Sequence, residues 1–465
     1  MLIRFIGVIG TAAILAASCG PAGPQSDEFL ERSGGDLTVF DGTSRAYDQP
    51  SRAVLSSPEL LARFRDGDRL YGAPRVANPA TIPGTGGLGP LYVGYACETC
   101  HQNSGRTLPT LFTNGGTGFD FSTFLVFMRS RRTGEYFRDY GRVLHDHATL
   151  GAKPEGRLVA KYNERCFEYP TEDRERYCLL YPEYEIKDWY TTPPPADDLL
   201  FTVRQPCRHV GLGLMLAVDR EELKALASLE YPSFGISPRL QWTVERGVHE
   251  IGVSGHKAQH SDLTVELGFS SDLGVTNSRF PDEVGLGQPQ ITRDFGLEIS
   301  DRDMANVDFY MHTLGVPARR NVDDPEVVRG EDRFRQAGCH LCHAPTLHTG
   351  ATPPKLIDGT PMPMLTNQTI HPYSDFLLHD LGPELGDGFS QFEASGDEWR
   401  TAPLWGLGLL PIVNGHMHLL HDGRARNIEE AILWHGSEEG AVSASIFRHL
   451  SKRDRDALVA FVLSL

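Results

Sequence analysis

Positive charge is scarce in this chain. Forty-four Lys and Arg stand against 61 Asp and Glu, a net charge of −17 over 465 residues. A nucleic-acid partner would favour a basic surface, so that class of partner is excluded. The acidic balance suits a basic protein partner, and solubility accounts for it equally well. Long apolar runs are also scarce. After Phe5–Ala17 no segment is apolar for long enough to span a bilayer. Strand signals are few and short, so the expected fold is mainly α with long loops.

The first run reads as an export signal. Arg4 supplies the positive start, Phe5 to Ala17 the apolar stretch, and "LAASCG" the exit. Small residues before Cys19 resemble a bacterial lipoprotein box, in which the cysteine is acylated and becomes the mature N-terminus. Ordinary cleavage around Ala16-Ala17-Ser18 is the alternative. On the lipoprotein reading, residues 1–19 are the signal and the protein is exported, periplasmic and lipid-anchored to the outer membrane through Cys19. Residues 20–57, rich in Gly, Ser, Asp and Pro, read as a flexible tether.

Helical patterns recur beyond it. "SPELLARFRDGDRLYG", "DREELKALASL", "SDRDMANVDFYMHTLG", "DPEVVRGEDRFRQAG" and "SKRDRDALVAFVLSL" open on Ser or Asp caps and place apolar residues three and four apart. Each half shows a helix, a cysteine pair with histidine, a loopy middle and a closing helix. Two related domains follow, 58–320 (with an insertion) and 321–465, joined near "GVPARRNVDDPE".

The cysteine pairs carry the chemistry. "CETCH" (Cys97, Cys100, His101) and "CHLCH" (Cys339, Cys342, His343) both match C-x-x-C-H, the attachment signature of c-type haem. Thiols at i and i+3 reach the two vinyl groups of one porphyrin, and the adjacent histidine presents its imidazole to the iron. A zinc site would want four ligands per cluster, and a redox dithiol would not need the histidine. Two covalently bound haems c are therefore expected. Among the other cysteines, a Cys166–Cys178 disulfide is expected to close a short loop, which leaves Cys207 over.

From "GLGPLYVGYACETCHQNSGR" through "VRGEDRFRQAGCHLCHAP" to "HPYSDFLLHDLG", "EWRTAPLWGLG" and "LLHDGRARNIEEAILWHG", the chain resembles the bacterial di-haem oxidoreductases. That family is labelled peroxidase or thiol oxidoreductase. It is distantly related to the di-haem cytochrome c peroxidases and to the di-haem enzyme that matures the tryptophan cofactor of methylamine dehydrogenase. The resemblance implies two cytochrome c-like haem domains facing a shared interface, and often a calcium ion between them. It also implies a small redox protein or cytochrome as electron donor or acceptor, and hydrogen peroxide as substrate.

Residue by residue, the resemblance implies more. His435 stands fourteen positions after His421 of "HDG", where the peroxidases carry the distal ligand of the C-terminal haem. Ile428, Ala431, Ile432 and His435 would share one helix face. In "GHKAQHSDLTVELGFSSDLGVT", Leu263, Glu266 and Asp272 align with residues lining the peroxide pocket, and His256 with a tryptophan between the haems. Glu266 and Asp272 are candidates for proton transfer. No histidine or methionine occurs from Gln102 to Phe127, so the N-terminal haem is expected to have an open distal site, with His145, His147 and His260 as alternative ligands. His379, His421, His416 and His418 are either supporting groups or core histidines. Arg400, Arg424 and Arg426 are candidate partners of haem propionates. The competing functions are a peroxidase, an electron carrier with both irons six-coordinate, and an oxidase acting on a large substrate at a surface residue.

Overall fold

The structure is a computed structural model describing residues 31–82, 84–109, 124–149, 151–171, 174–245, 247–292 and 295–465. The export signal and Cys19 lie outside the described residues.

The helices form where the caps fall. Ser57, Asp219, Ser300, Asp324 and Ser451 each accept a hydrogen bond from a backbone N–H of the turn they open. The helices they start run Pro58–Gly72, Arg220–Ala227, Asp301–Thr313, Pro325–Gln336 and Lys452–Ser464.

The long helices pair within each half. Pro58–Gly72 packs on Asp301–Thr313, and Pro325–Gln336 packs on Lys452–Ser464. Both crossings are made at a glycine. A Cβ on Gly67 would stand 2.1 Å from the carbonyl oxygen of Asn306, and one on Gly330 would stand 1.9 Å from that of Ala457. Only a residue without a side chain admits backbones this close. Each C-x-x-C-H turn follows the first helix of its pair, so these crossings set where the two motifs lie.

The mainly α expectation is corrected. Helix makes up 29% and strand 19%, a mixed α/β architecture with many small sheets rather than mainly α cytochrome-like domains. Among the described residues every sheet is two-stranded. Most strands are two to six residues long and carry no readable period. The exception is a hairpin of two twelve-residue strands, Arg157–Glu168 and Arg176–Lys187. Much of it is half-buried or exposed on both faces, so apolar and polar residues do not alternate and the strand signal is lost. Cys166 and Cys178 face each other across the hairpin and are disulfide-bonded. Leu125–Ser130 pairs with Leu199–Arg204 and brings both ends of this region side by side.

Residues 31–57, read as tether, pack into the body. Ala46 and Tyr47 are fully buried, the Tyr47 hydroxyl donates to Gly406 O at 2.6 Å, and Thr38–Val39 pairs in parallel with Val316–Pro317.

Gly67→Ala and Gly330→Ala should each lower stability by about 1–3 kcal/mol, because backbone must move to admit the methyl group. Asp332→Ala, an exposed change on the same helix as Gly330, should stay within about 0.5 kcal/mol. Denaturant unfolding of the three variants checks this.

Candidate haem-binding cavity

Both C-x-x-C-H motifs open onto one cavity of about 540 Å³. Cys97, Cys100 and His101 line one part of it, Cys339, Cys342 and His343 another, and His435 joins them. These groups are partly accessible, but what they face is the cavity. Burial dominates their titration. It pushes the Cys97 and Cys339 thiols up to about 12 and Cys100 higher still. Such thiols carry no thiolate at neutral pH, which argues against a redox dithiol. Zinc is disfavoured too. Among the described residues the one cluster offering three ligand atoms is Glu164, Cys166 and Cys178, whose cysteines are already disulfide-bonded. No described cluster of carboxylates for calcium stands beside it.

The imidazoles are suited to iron. Burial lowers His101 and His343 to about 4, and His435 is lowered for the same reason, so all three are neutral with a lone pair to offer. Nδ1 of His343 bonds the Tyr373 carbonyl at 2.9 Å, and Nδ1 of His435 bonds the Ala431 carbonyl at 2.7 Å. Each bond fixes the tautomer and leaves Nε2 as the ligating nitrogen. His101 lies against the backbone carbonyls of Cys207 and Gly105, which oppose the effect of burial on its ring. These residues fit a haem in each half.

His435 is positioned by a short helix, Ile428–Leu433. Asn427 caps it, accepting from Glu430 N at 2.8 Å. His435 stands two residues past the helix end. With Ile428, Ala431 and Ile432 it lines the cavity, near enough to His343 to oppose protonation of that ring.

Glu266 and Asp272 separate. Both lie on the helix Val265–Leu273. Six residues turn an α-helix by about 600°, which leaves the two side chains about 120° apart. Asp272 lines the cavity with Val265, Gly268 and Phe269, while Glu266 turns toward Arg279, Oε1 to Nε 3.9 Å. Burial raises the Asp272 pKa, and the Ser271 hydroxyl donates to its carboxylate. Its charge is felt at Cys97 and Cys100, which places it at the N-terminal motif.

His256 lines the cavity beside Cys207, Sγ to Nδ1 3.5 Å, and meets Trp399 edge-on at 6.3 Å. Trp399 stacks on His421 at 4.1 Å. An indole therefore does stand in this cavity, supplied by the C-terminal half. His145 is engaged at both nitrogens, by Glu155 at 2.8 Å and Ser271 O at 2.9 Å. His260 bonds Glu245 at 2.6 Å and His147 bonds Asp146 at 2.8 Å. None of these three is among the cavity residues. His416 and His418 bond the carbonyls of Arg106 and Gly423 and do not form a metal pair. His379 bridges Asp375 at 2.9 Å and Glu439 at 2.6 Å. Burial disfavours its charge, but Asp375 and Cys342 together outweigh burial and raise its pKa well above the ordinary value.

Of the candidate arginines, Arg424 pairs with buried Asp422 at 2.9 Å and Arg426 with Glu430 and Glu164. Arg400 has no carboxylate within ion-pair reach among the described residues. Sequence reasoning passed over His209, whose ring stacks on His101 at 3.9 Å and whose Nδ1 meets the Tyr71 hydroxyl at 3.0 Å. The density of Arg, Cys and His in "RQPCRH" was the available signal.

The chain matches the family model described as "Di-haem oxidoreductase, putative peroxidase" over residues 28–128 and 194–465. It belongs to that di-haem oxidoreductase family. No curated protein and no solved structure matches it.

Asp422 gives a pH prediction. Burial disfavours its charge, but Arg424 and His421 together outweigh burial and hold its pKa well below the carboxylate range. Its stabilisation is complete above the unfolded-chain value, near 4, and is lost as pH falls through the folded value. Arg424→Met leaves this carboxylate buried and unpaired, at a cost of about 3–5 kcal/mol at pH 7. That deficit should shrink as acid protonates Asp422. Denaturant unfolding at pH 7 and pH 4 reads both effects.

Proposed function

We propose that this protein is an exported di-haem oxidoreductase of peroxidase type. Haems c would be attached through Cys97 and Cys100 and through Cys339 and Cys342, with His101 and His343 as proximal ligands. The observation behind it is one cavity onto which both motifs open, with a further neutral imidazole, His435, close to His343. His209 stacks on His101 at 3.9 Å, and its Nδ1 is engaged by the Tyr71 hydroxyl at 3.0 Å.

When bound, haem supplies one-electron chemistry and an iron position at which peroxide can be reduced. The chain's part follows from its side chains. His101 and His343, neutral through burial, hold lone pairs toward the cavity. His435 closes the C-terminal position, which suits electron storage or relay. Asp272 takes a proton from the near oxygen of hydrogen peroxide and returns it to the leaving oxygen. Cleavage of the O–O bond consumes two electrons from a small redox protein and two protons, giving two water molecules. Cys19 would carry the lipid that holds the protein at the outer membrane, facing the periplasm.

A pyridine haemochrome assay on protein made with haem maturation machinery should find two c-type haems, and one after Cys97→Ala with Cys100→Ala. Fewer than two in the unaltered chain would refute the reading.

His435→Ala should turn the C-terminal haem from low-spin to high-spin. The N-terminal haem should bind cyanide or peroxide in at least one redox state. Asp272→Asn should lower kcat/KM for peroxide by about 10²- to 10⁴-fold, while Glu266→Gln stays within a few-fold. Two low-spin haems inert to both ligands, oxidised and half-reduced, would make the protein an electron carrier.

A further inference from the structure

Among the described residues, three guanidiniums in the cavity wall have no carboxylate within ion-pair distance; Asp422 and Asp375 act on Arg106 and Arg400 only from farther away. Arg106 and Arg400 are each only 8% exposed, and Arg208 is half-buried beside them. Among the described residues none of the three has an ion-pair partner. Arg204 and Arg424, in the same region, are paired with Asp387 at 2.6 Å and Asp422 at 2.9 Å.

The partners of the three are mainly neutral backbone carbonyls, with the Tyr47 hydroxyl also beside Arg208 and the Cys207 side chain beside Arg400. Arg106 Nη2 donates to Leu420 O at 3.2 Å. Arg208 donates to Trp405 O at 3.0 Å and Pro403 O at 2.8 Å. Arg400 donates to Gly255 O at 2.7 Å and Thr401 O at 2.8 Å. A guanidinium offers five N–H donors, so most remain to be used, and the buried Arg106 Nε has no acceptor at all. Burial pulls the Arg106 pKa down to about 10 and lowers Arg400 as well. Cations left this way are expensive, because taking an ion from water costs several kcal/mol unless a counter-charge meets it.

Their placement indicates the counter-charge. Arg106 follows the N-terminal motif and reaches the carbonyl of Leu420. Arg208 reaches Pro403 and Trp405, and Arg400 reaches back to Gly255. All three stand where the two halves meet, on the cavity onto which both motifs open. Each haem carries two propionates, and guanidinium matches a carboxylate with two parallel hydrogen bonds. We infer that Arg106, Arg208 and Arg400 form a carboxylate cradle that binds haem propionates at the join between the halves. This rests on the di-haem reading above.

The test uses the haem-loaded full chain. Arg106→Gln and Arg400→Gln should keep two haems, because the thioether bonds remain. Spectroelectrochemical titration should show the potential of at least one haem falling. Loss of a fixed positive charge favours ferric iron, and a tenfold shift corresponds to about 59 mV for one electron. Arg400→Lys, which keeps the charge without the planar fork, should recover most of the fall.

If the Gln variants do not fold, Arg400→Lys and Arg208→Lys are read in the same way for a smaller fall. Potentials equal to the unaltered protein's in every variant that folds overturn the inference. Added sodium acetate separates the two sources of carboxylate. With propionates in the cradle the unaltered protein's potentials are indifferent to it. An acetate-dependent shift that the arginine variants lose would assign the cradle to a free carboxylate substrate and overturn the inference. Failure of the di-haem reading itself shows earlier, as fewer than two haems in the unaltered chain.

Discussion

Close packing sets the governing constraint. Protein interiors close holes, and an unfilled apolar cavity costs about 24 cal/mol per Å³. The space of about 540 Å³ is partly open and its wall mixes apolar with polar groups, so water offsets part of that cost. A mostly apolar space of this size, lined by both cysteine motifs, suits a bound group. The rest of the structure arranges its walls. Helix pairs crossed at Gly67 and Gly330 fix both cysteine turns, and backbone carbonyls fix the rings of His343 and His435.

How much of this was legible in the sequence depended on the length scale of the signal. The cysteine motifs, the caps at Ser57, Asp324 and Ser451 and the face Ile428–Ala431–Ile432 are written within a few residues. The structure shows those caps formed and that face on the cavity. The sheets left no trace, because two-residue strands have no period and the long hairpin is wet on both faces. Glu266 and Asp272 entered as a pair through alignment. Helical geometry then parts them, as counting residues along a helix would have required.

The arginines fail for another reason. Arg400, Arg424 and Arg426 look alike in sequence, and only their neighbours tell them apart. Asp422 and Glu430 neutralise two of them within four residues, while Arg400 reaches across to Gly255. Whether a buried charge is compensated is a tertiary property. Arg106, Arg208 and Trp399 come into the site from three distant segments, and only the tertiary fold brings them into one wall.

The hairpin adds a last step. Residues 129–193 lie outside the family match, so this region is added to the shared framework. It enters and leaves through a paired base and then folds onto the element that carries His435. Tyr181 packs on Trp434 at 4.7 Å, the Tyr169 hydroxyl donates to Glu429 at 2.5 Å, and Tyr184 donates to Asp422 at 3.0 Å. Cys178 O accepts from Arg426. A six-residue helix has little stability of its own, so the orientation of His435 depends on such outside contacts. The addition reaches the N-terminal side as well. His145 bonds Ser271 O at 2.9 Å, one residue from Asp272, and His147–Ala148 pairs with Leu91–Tyr92 ahead of the N-terminal motif. One added region therefore steadies both walls of the cavity: the segment that carries His435 and the helix that carries Asp272.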